Sequence, residues 1–174
     1  MIVGILGSKS SDSLTRKGML KIKESLEAIG IEFDLIDLKS EYVEIHDIDD
    51  YENPPVSSQT MKLRNRISRA KGVILGSPVY HGSFSGVLKN SLDHLTNNAF
   101  LNLPVGILVA GGSTYSTSVV CDQLRTIIRA LSGWSAPTHI GISYGDILGE
   151  IISEQFLTRI NEMVNEMIFF SNRL

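Results

Sequence analysis

Three short stretches of this chain hold the residues able to do chemistry. The first, Gly7 to Thr15, offers the hydroxyls of Ser8, Ser10, Ser13 and Thr15 just before a run with helical periodicity. A helix start adds unpaired N–H groups and the positive end of the macrodipole, so the stretch suits an anion. Neutral hydroxyl donors suit a phosphate monoester that is held rather than transferred. The same serines also read as an ordinary capped loop. The second stretch runs from Ser77 to Asp93. Pro78 cannot donate to a sheet ladder and biases Ser77 toward an extended form, so a strand is expected to stop there. Gly82 permits a positive φ, Ser83 is a good N-cap, and Phe84, Leu88, Leu92 and Leu95 recur at helical spacing. That places Tyr80 at the tip of a sharp loop with free backbone N–H groups around it. The third stretch, Gly111-Gly112-Ser113, lets backbone approach a flat ligand because no Cβ stands in the way. Tyr115 nearby reads either as a cover for that ligand or as plain surface.

The elements around these stretches must bring them together. Ile2–Leu6, Gly72–Gly76 and Pro104–Ala110 are short, continuously apolar runs, the pattern of strands buried on both faces. Ile31–Asp37 and Thr138–Ser143 alternate, which places them nearer the sheet edges. Helical faces are formed by Met19, Ile22, Leu26 and Ile29 (closed by Gly30), by Leu63, Ile67 and Ala70, by Val120, Leu124, Ile127, Ile128 and Leu131, and by Ile152, Phe156, Ile160, Met163, Val164 and Met167. Strands alternating with helices give an α/β fold with a parallel sheet covered on both faces. Two edge-like strands and three buried ones fit a five-stranded sheet of order 2-1-3-4-5, the flavodoxin-like arrangement. In that order the loops after strands one, three and four converge on one cleft. The Gly-x-Gly-x-x-Gly turn of dinucleotide-binding folds and the Walker A pattern are both missing.

The run Pro-x-Tyr-x-Gly-Ser-x-Ser-Gly-x-Leu-Lys-Asn-x-Leu-Asp, Pro78 to Asp93 here, closely resembles the signature of the NADPH-dependent FMN reductases, which include flavin, quinone, azo-dye and chromate reductases. Their phosphate loop usually reads Gly-Ser-x-Arg-x-x-Ser-x-Asn, which aligns with Gly7 to Thr15. This chain has Ser10 where arginine is common and Thr15 where asparagine is common. Both replacements keep a donor, but a positive charge beside the phosphate is lost. The resemblance implies FMN as cofactor, held at its phosphate by Ser8, Ser10, Ser13, Leu14 and Thr15. It places the isoalloxazine ring on Pro78, Val79, Tyr80, His81, Gly82 and Ser83, with Gly111, Gly112 and Ser113 beside it. Backbone donors aimed at N5, O4 and the N1–O2 edge stabilise the reduced ring.

The implied activity is an FMN-dependent NAD(P)H oxidoreductase. Hydride would pass from nicotinamide C4 of NADPH or NADH to flavin N5 and on to free flavin, a quinone or a similar small-molecule acceptor, with no catalytic side chain required. A flavodoxin-type electron carrier is the competing class. Such carriers are usually strongly acidic, and the net charge of −3 is mild. Arg16 and Lys17 read either as partners for a 2′-phosphate or as solvent-facing helix charges. Family members commonly form homodimers or homotetramers, with the helix carrying Leu88, Lys89, Asn90 and Asp93 near the contact.

Bulk properties agree. At 174 residues, with 43% hydrophobic and 20% charged, the chain suits one domain spanning residues 1–174, with no repeat or linker to divide it. No basic stripe marks it for nucleic acid. The lone Cys121 excludes an intramolecular disulfide and a cysteine-ligated cluster; it reads as inert helix packing and makes a reducing cytoplasm the expected compartment. The opening residues are too short and uncharged an apolar run for a signal peptide, and no run approaches the ~20 apolar residues of a membrane span. His46, His94 and His139 share no metal-ligand spacing. The acidic set Glu41, Glu44, Asp47, Asp49, Asp50 and Glu52 lacks a calcium-loop pattern and reads as a solvated loop.

Overall fold

A computed structural model describes residues 1–49, 51–149 and 151–171. Asp50 of the acidic set lies outside the described residues. The central sheet begins with β1 (Ile2–Leu6), flanked in parallel by β2 (Phe33–Asp37) and β3 (Val73–Pro78); β3 pairs in turn with β4 (Pro104–Ala110). Five helices connect and close it: α1 (Leu14–Ala28), α2 (Gln59–Ile67), α3 (Gly86–Asp93), α4 (Thr114–Ala130) and α5 (Glu154–Ser171). The order β2-β1-β3-β4 continues to a fifth position, as the apolar pattern predicts.

That fifth position holds two strands instead of one. β5 (Trp134–Ser135) pairs with the start of β4, and β6 (Ile140–Ile142) pairs with its end. Pro137 lies between them. It has no N–H to give to β4, so the ladder breaks there and resumes three residues later. A small antiparallel pair, β7 (Ile147–Leu148) and β8 (Ile151–Ile152), leads into α5.

Two apolar layers sandwich the sheet. Leu63, Ile67, Leu88, Leu92, Val120, Leu124 and Ile128 put α2, α3 and α4 on one face. Met19, Ile22, Leu26, Phe156, Ile160 and Met163 put α1 and α5 on the other. β1, β3 and β4 are buried along their whole length, whereas the edge strand β2 is buried only at Phe33 and Ile36. Gly30 closes α1 in a left-handed conformation at φ 76°. Ile29, expected on the buried stripe, is the C-cap residue and 55% exposed.

Candidate active site

Gly7 carries the chain out of β1 while its amide still bonds to the Gly76 carbonyl at 2.8 Å. A Cβ here would stand 2.7 Å from Leu88 Cβ and 2.9 Å from Ser85 Oγ, so only glycine fits. Ser8 is fully buried and its Oγ accepts from the Ser10 amide at 3.4 Å. Ser13 caps α1, with Oγ accepting from the Arg16 amide at 3.1 Å. An acceptor hydroxyl still has its own proton to donate. The Leu14 and Thr15 amides, at the first two helical positions, have no intrahelical acceptor. Thr15 is fully buried, and its Oγ1 has no partner. Two amides, a capping hydroxyl and one buried hydroxyl thus await an acceptor at the same helix end.

The three cations of this stretch all have partners. Arg16 grips Asp37 at the end of β2 through Nη1 (2.6 Å) and Nη2 (2.9 Å), and its Nε donates to the Ser10 carbonyl at 3.3 Å. These hydrogen bonds, ahead of the burial that opposes them, hold the Asp37 carboxyl below its ordinary value and raise the guanidinium. Lys17 pairs with Asp12 at 2.7 Å, and Lys9 lies 4.9 Å from the centre of the Tyr42 ring. The solvent-facing reading fits Lys17, whose partner Asp12 is itself exposed, but not Arg16, which is mostly buried. Arg16 instead fastens the loop to the sheet.

The second loop leaves β3 at Pro78, which is opposite Ala110 and is the last residue of the strand. Val79 donates to the Ala110 carbonyl at 2.8 Å. Tyr80 and Ser83 then exchange backbone hydrogen bonds of 2.8 and 3.1 Å around His81 (φ 49°) and Gly82 (φ 79°). Positive φ at both central residues is the signature of a type I′ turn. Ser83 is therefore a turn residue, not the expected N-cap. Its hydroxyl donates to Gln123 Oε1 at 2.8 Å, and Gln123 Nε2 donates back to the Gly82 carbonyl at 3.2 Å. Ser85 caps α3, accepting from the Leu88 amide at 3.3 Å and donating to the Gly7 carbonyl at 2.5 Å. Ser77 Oγ accepts from the Ser85 amide at 2.9 Å. These buried serines tie the ends of β1 and β3 to the start of α3. Phe84 precedes that helix and Leu95 follows it, although both pack on the same apolar layer.

The third loop starts where the Gly111 amide donates to the Ile142 carbonyl at 3.0 Å. Open space surrounds the Cβ position of Gly112, and Ser113 caps α4 through the Ser116 amide at 3.2 Å.

The three loops enclose a cleft of about 390 Å³. From the first loop come Ser8, Ser10, Ser13, Leu14 and Thr15; from the second, Pro78, Val79 and Tyr80; from the third, Gly111 and Gly112. His81, Gly82, Ser83 and Ser113 are not on its wall; the first three form the turn just beyond Tyr80. Lys17, read as a candidate 2′-phosphate partner, lines the cleft as well; Asp12, Tyr144 and Ile147 also line it and were missed. Tyr144 follows β6, and the rule that ligands meet the carboxyl ends of strands would have found it. Tyr115 is 82% exposed and lies outside the lining. One end of this cleft is rich in hydroxyl and amide donors, and the other is walled by Val79, Tyr80, Tyr144 and Ile147 beside an uncovered glycine. That division fits a phosphate at one end and a flat ring at the other.

The remaining reactive types have structural roles. Burial pushes the Cys121 thiol up to about 12, so it is a protonated packing group at neutral pH. His94 accepts from the Thr60 hydroxyl at Nδ1 (2.8 Å) and donates from Nε2 to the Glu44 carbonyl (2.8 Å), pinning the β2–α2 connection. Among the described residues, no group of three or more His, Cys, Asp or Glu side chains is placed to hold a metal ion, and no helix is long and apolar enough to cross a membrane.

Comparison with known proteins identifies the family. Residues 1–146 match the family described as NADPH-dependent FMN reductase. An FMN-dependent NADPH-azoreductase of Staphylococcus saprophyticus is 32% identical over 174 aligned residues, covering 95% of this chain and 92% of that protein. An oxidoreductase from Corynebacterium diphtheriae superposes with a TM-score of 0.80 at 18% identity, covering 99% of this chain and 97% of the other. A flavodoxin from Streptococcus pneumoniae superposes with a TM-score of 0.65 at 11% identity, covering 97% and 99%. Enzyme and carrier share the fold, so the fold alone does not separate them; the sequence match does. The chain belongs to the NADPH-dependent FMN reductase family, and is an FMN-dependent NAD(P)H oxidoreductase rather than a flavodoxin-type carrier.

Proposed function

We propose that residues 1–174 act as one FMN-loaded domain that reduces a small azo or quinone acceptor at the expense of NADPH or NADH. The observation that carries the site assignment is the donor-rich start of α1 opening into the same cleft as Pro78–Tyr80 and Gly111–Gly112. When bound, FMN supplies the two-electron chemistry, taking hydride from nicotinamide and passing electrons to the acceptor. The hydroxyls of Ser8, Ser10 and Ser13 and the amides of Leu14 and Thr15 hold the phosphate. Thr15 Oγ1, buried without a partner, gains one there. Val79 and Tyr80 would support the ring, with the His81 and Gly82 amides in the turn just beyond them available to its polar edge. Gly112 leaves space above it, so a nicotinamide can reach contact distance of roughly 3–3.5 Å. No side chain of the cleft is needed as a general acid.

The azo acceptor is suggested by the name of the Staphylococcus relative. A reducing cytoplasm is supported by the single buried thiol. A homodimer or homotetramer is supported by the β2–α2 connection, which leaves Ile45, Ile48 and Val56 more than 70% exposed. Asn90 of α3 fastens that connection through the His46 amide (2.9 Å) and the Glu44 carbonyl (2.8 Å).

The test is anaerobic mixing of the FMN-loaded protein with excess NADPH or NADH. Loss of the visible flavin absorbance without a partner reductase, and its return on adding an azo dye or quinone, is the expected result. Reduction by dithionite but by neither nicotinamide would return the chain to the carrier class.

A further inference from the structure

A second, larger cavity of about 580 Å³ opens beside the cofactor cleft, where β6 ends the sheet between the first turns of α4 and α5. The two spaces share their partition. Gly112 and Tyr144 face the cleft, while their neighbours Ser113, Ser143 and Gly145 face the cavity. A molecule engaged over Gly112 therefore has this cavity next to it.

The one charged side chain on the cavity's lining with unused hydrogen-bonding capacity is a cation. Asp146 is the one carboxylate on its lining, and both oxygens are occupied. Oδ2 accepts from the Ser143 amide (2.8 Å) and hydroxyl (3.0 Å); Oδ1 accepts from the Ser153 hydroxyl (3.1 Å) and Arg159 Nη2 (3.2 Å). Arg159 is not satisfied in return. Among the described residues that contact at 3.2 Å is its whole set, and its Nε is buried with no partner. Arg16 and Arg66 each use Nε, Nη1 and Nη2, and Arg64 uses Nε and Nη2. A guanidinium presents five donors in a planar fork suited to oxo-anions, so one that uses a single nitrogen on the wall of a cavity has donors to offer a ligand there.

Neutral donors surround it. His139 Nδ1 accepts from Arg125 Nη2 at 2.8 Å, which leaves the ring proton on Nε2. Burial, ahead of the Arg125 charge, holds this imidazole below its ordinary pKa and so keeps it neutral. The hydroxyl of Ser118 adds a donor from α4.

We propose that this cavity binds an anionic oxo group, phosphate or sulfonate, carried by a substrate whose reactive end occupies the adjoining cleft, with Arg159 as the selecting cation. The location of the reactive end rests on the flavin reading above. Three sources carry such a group: the 2′-phosphate of NADPH, the pyrophosphate common to NADPH and NADH, and the sulfonate of an anionic azo acceptor.

Binding to the oxidised, FMN-loaded protein separates them without turnover. The probes for calorimetric titration are NADP⁺, NAD⁺, methyl orange and its uncharged parent 4-dimethylaminoazobenzene. Arg159→Gln removes the cation. Ser118→Asp introduces a repelling charge and leaves the Arg159–Asp146 pair intact, so it keeps the test valid should the first variant lose its fold. Each variant is expected to weaken at least one anionic probe about ten- to a hundredfold, the scale of one charge-assisted hydrogen bond, and to leave the uncharged azobenzene unchanged. Weakening of NADP⁺ alone assigns the 2′-phosphate, equal weakening of both nucleotides assigns the pyrophosphate, and weakening of methyl orange alone assigns the acceptor. Unchanged affinity for all three anions in folded variants, or no binding of any of them to the parent protein, overturns the proposal. Failure of the oxidoreductase reading would appear separately, as a parent flavin that neither NADPH nor NADH bleaches.

Discussion

Ser13 and Thr15 present two hydroxyls two residues apart with opposite hydrogen-bond accounts. Ser13 Oγ already caps α1, so Ser13→Ala removes a cap and a phosphate donor together, worth about 1–3 kcal/mol in combined stability and FMN binding. Thr15 Oγ1 is buried and unpartnered, a cost to the protein until a ligand meets it. Thr15→Val keeps the shape and removes that unmet hydroxyl. The apoprotein of this variant is expected to melt at the same temperature or higher, while FMN, titrated by fluorescence quenching, binds about tenfold weaker. A variant that binds FMN as tightly as the parent would place the phosphate away from Thr15. The hydroxyls of this loop were legible because serines before an amphipathic run mark a helix start. The fixing of Arg16 was not: its partner Asp37 is 21 residues away on another strand, and nothing local announces the pair.

Between β3 and α3 the controlling feature is the turn at His81 and Gly82. Gly82 was legible as a residue needing positive φ. His81 at φ 49° was not, because histidine seldom adopts that region and only the Tyr80–Ser83 hydrogen bonds impose it. Missing the two-residue turn placed the expected cap at Ser83 instead of Ser85, and the start of the helix with it. A similar limit applied at the far edge, where one alternating run was expected and Pro137 splits the position into β5 and β6. Gly82→Val tests the turn. Valine is strained at φ 79° although the space around the position is open, so the cost falls on the turn rather than on packing. The expected outcome is retained far-UV circular dichroism with reduced flavin occupancy. Full occupancy in a folded variant would show that the turn's geometry does not govern the ring site.

Across the whole molecule, the sheet is anchored unevenly. β1, β3 and β4 are held by two apolar layers along their whole length, while the edge strand β2 contributes only Phe33 and Ile36 as buried residues to those layers and is also gripped by arginines reaching over from the helices. Arg66 of α2 binds Asp34 through Nε (2.8 Å) and Nη2 (2.6 Å), and also Glu41; Arg16 of α1 binds Asp37 and the Ser10 carbonyl. Order at the cofactor end is thereby coupled to the charge of a carboxylate on the edge. Asp37 has a folded pKa depressed from its ordinary 3.8, first by the hydrogen bonds from Arg16. A depressed carboxylate stabilises the fold fully above its unfolded value, and that contribution is lost as the pH falls through the lower folded value. The window is therefore below about pH 4, with no contribution to pH dependence near neutrality. Asp37→Asn is expected to cost about 1–3 kcal/mol at neutral pH, the range for a charge-assisted pair, and to weaken FMN because Arg16 no longer holds the Ser10 carbonyl in place. Urea unfolding of parent and variant, repeated at descending pH, reads the linkage directly. The two stabilities should converge in acid as the parent's carboxylate takes up its proton, and a gap that stays constant down to pH 3 would show that the Arg16–Asp37 pair does not carry the stability of this edge.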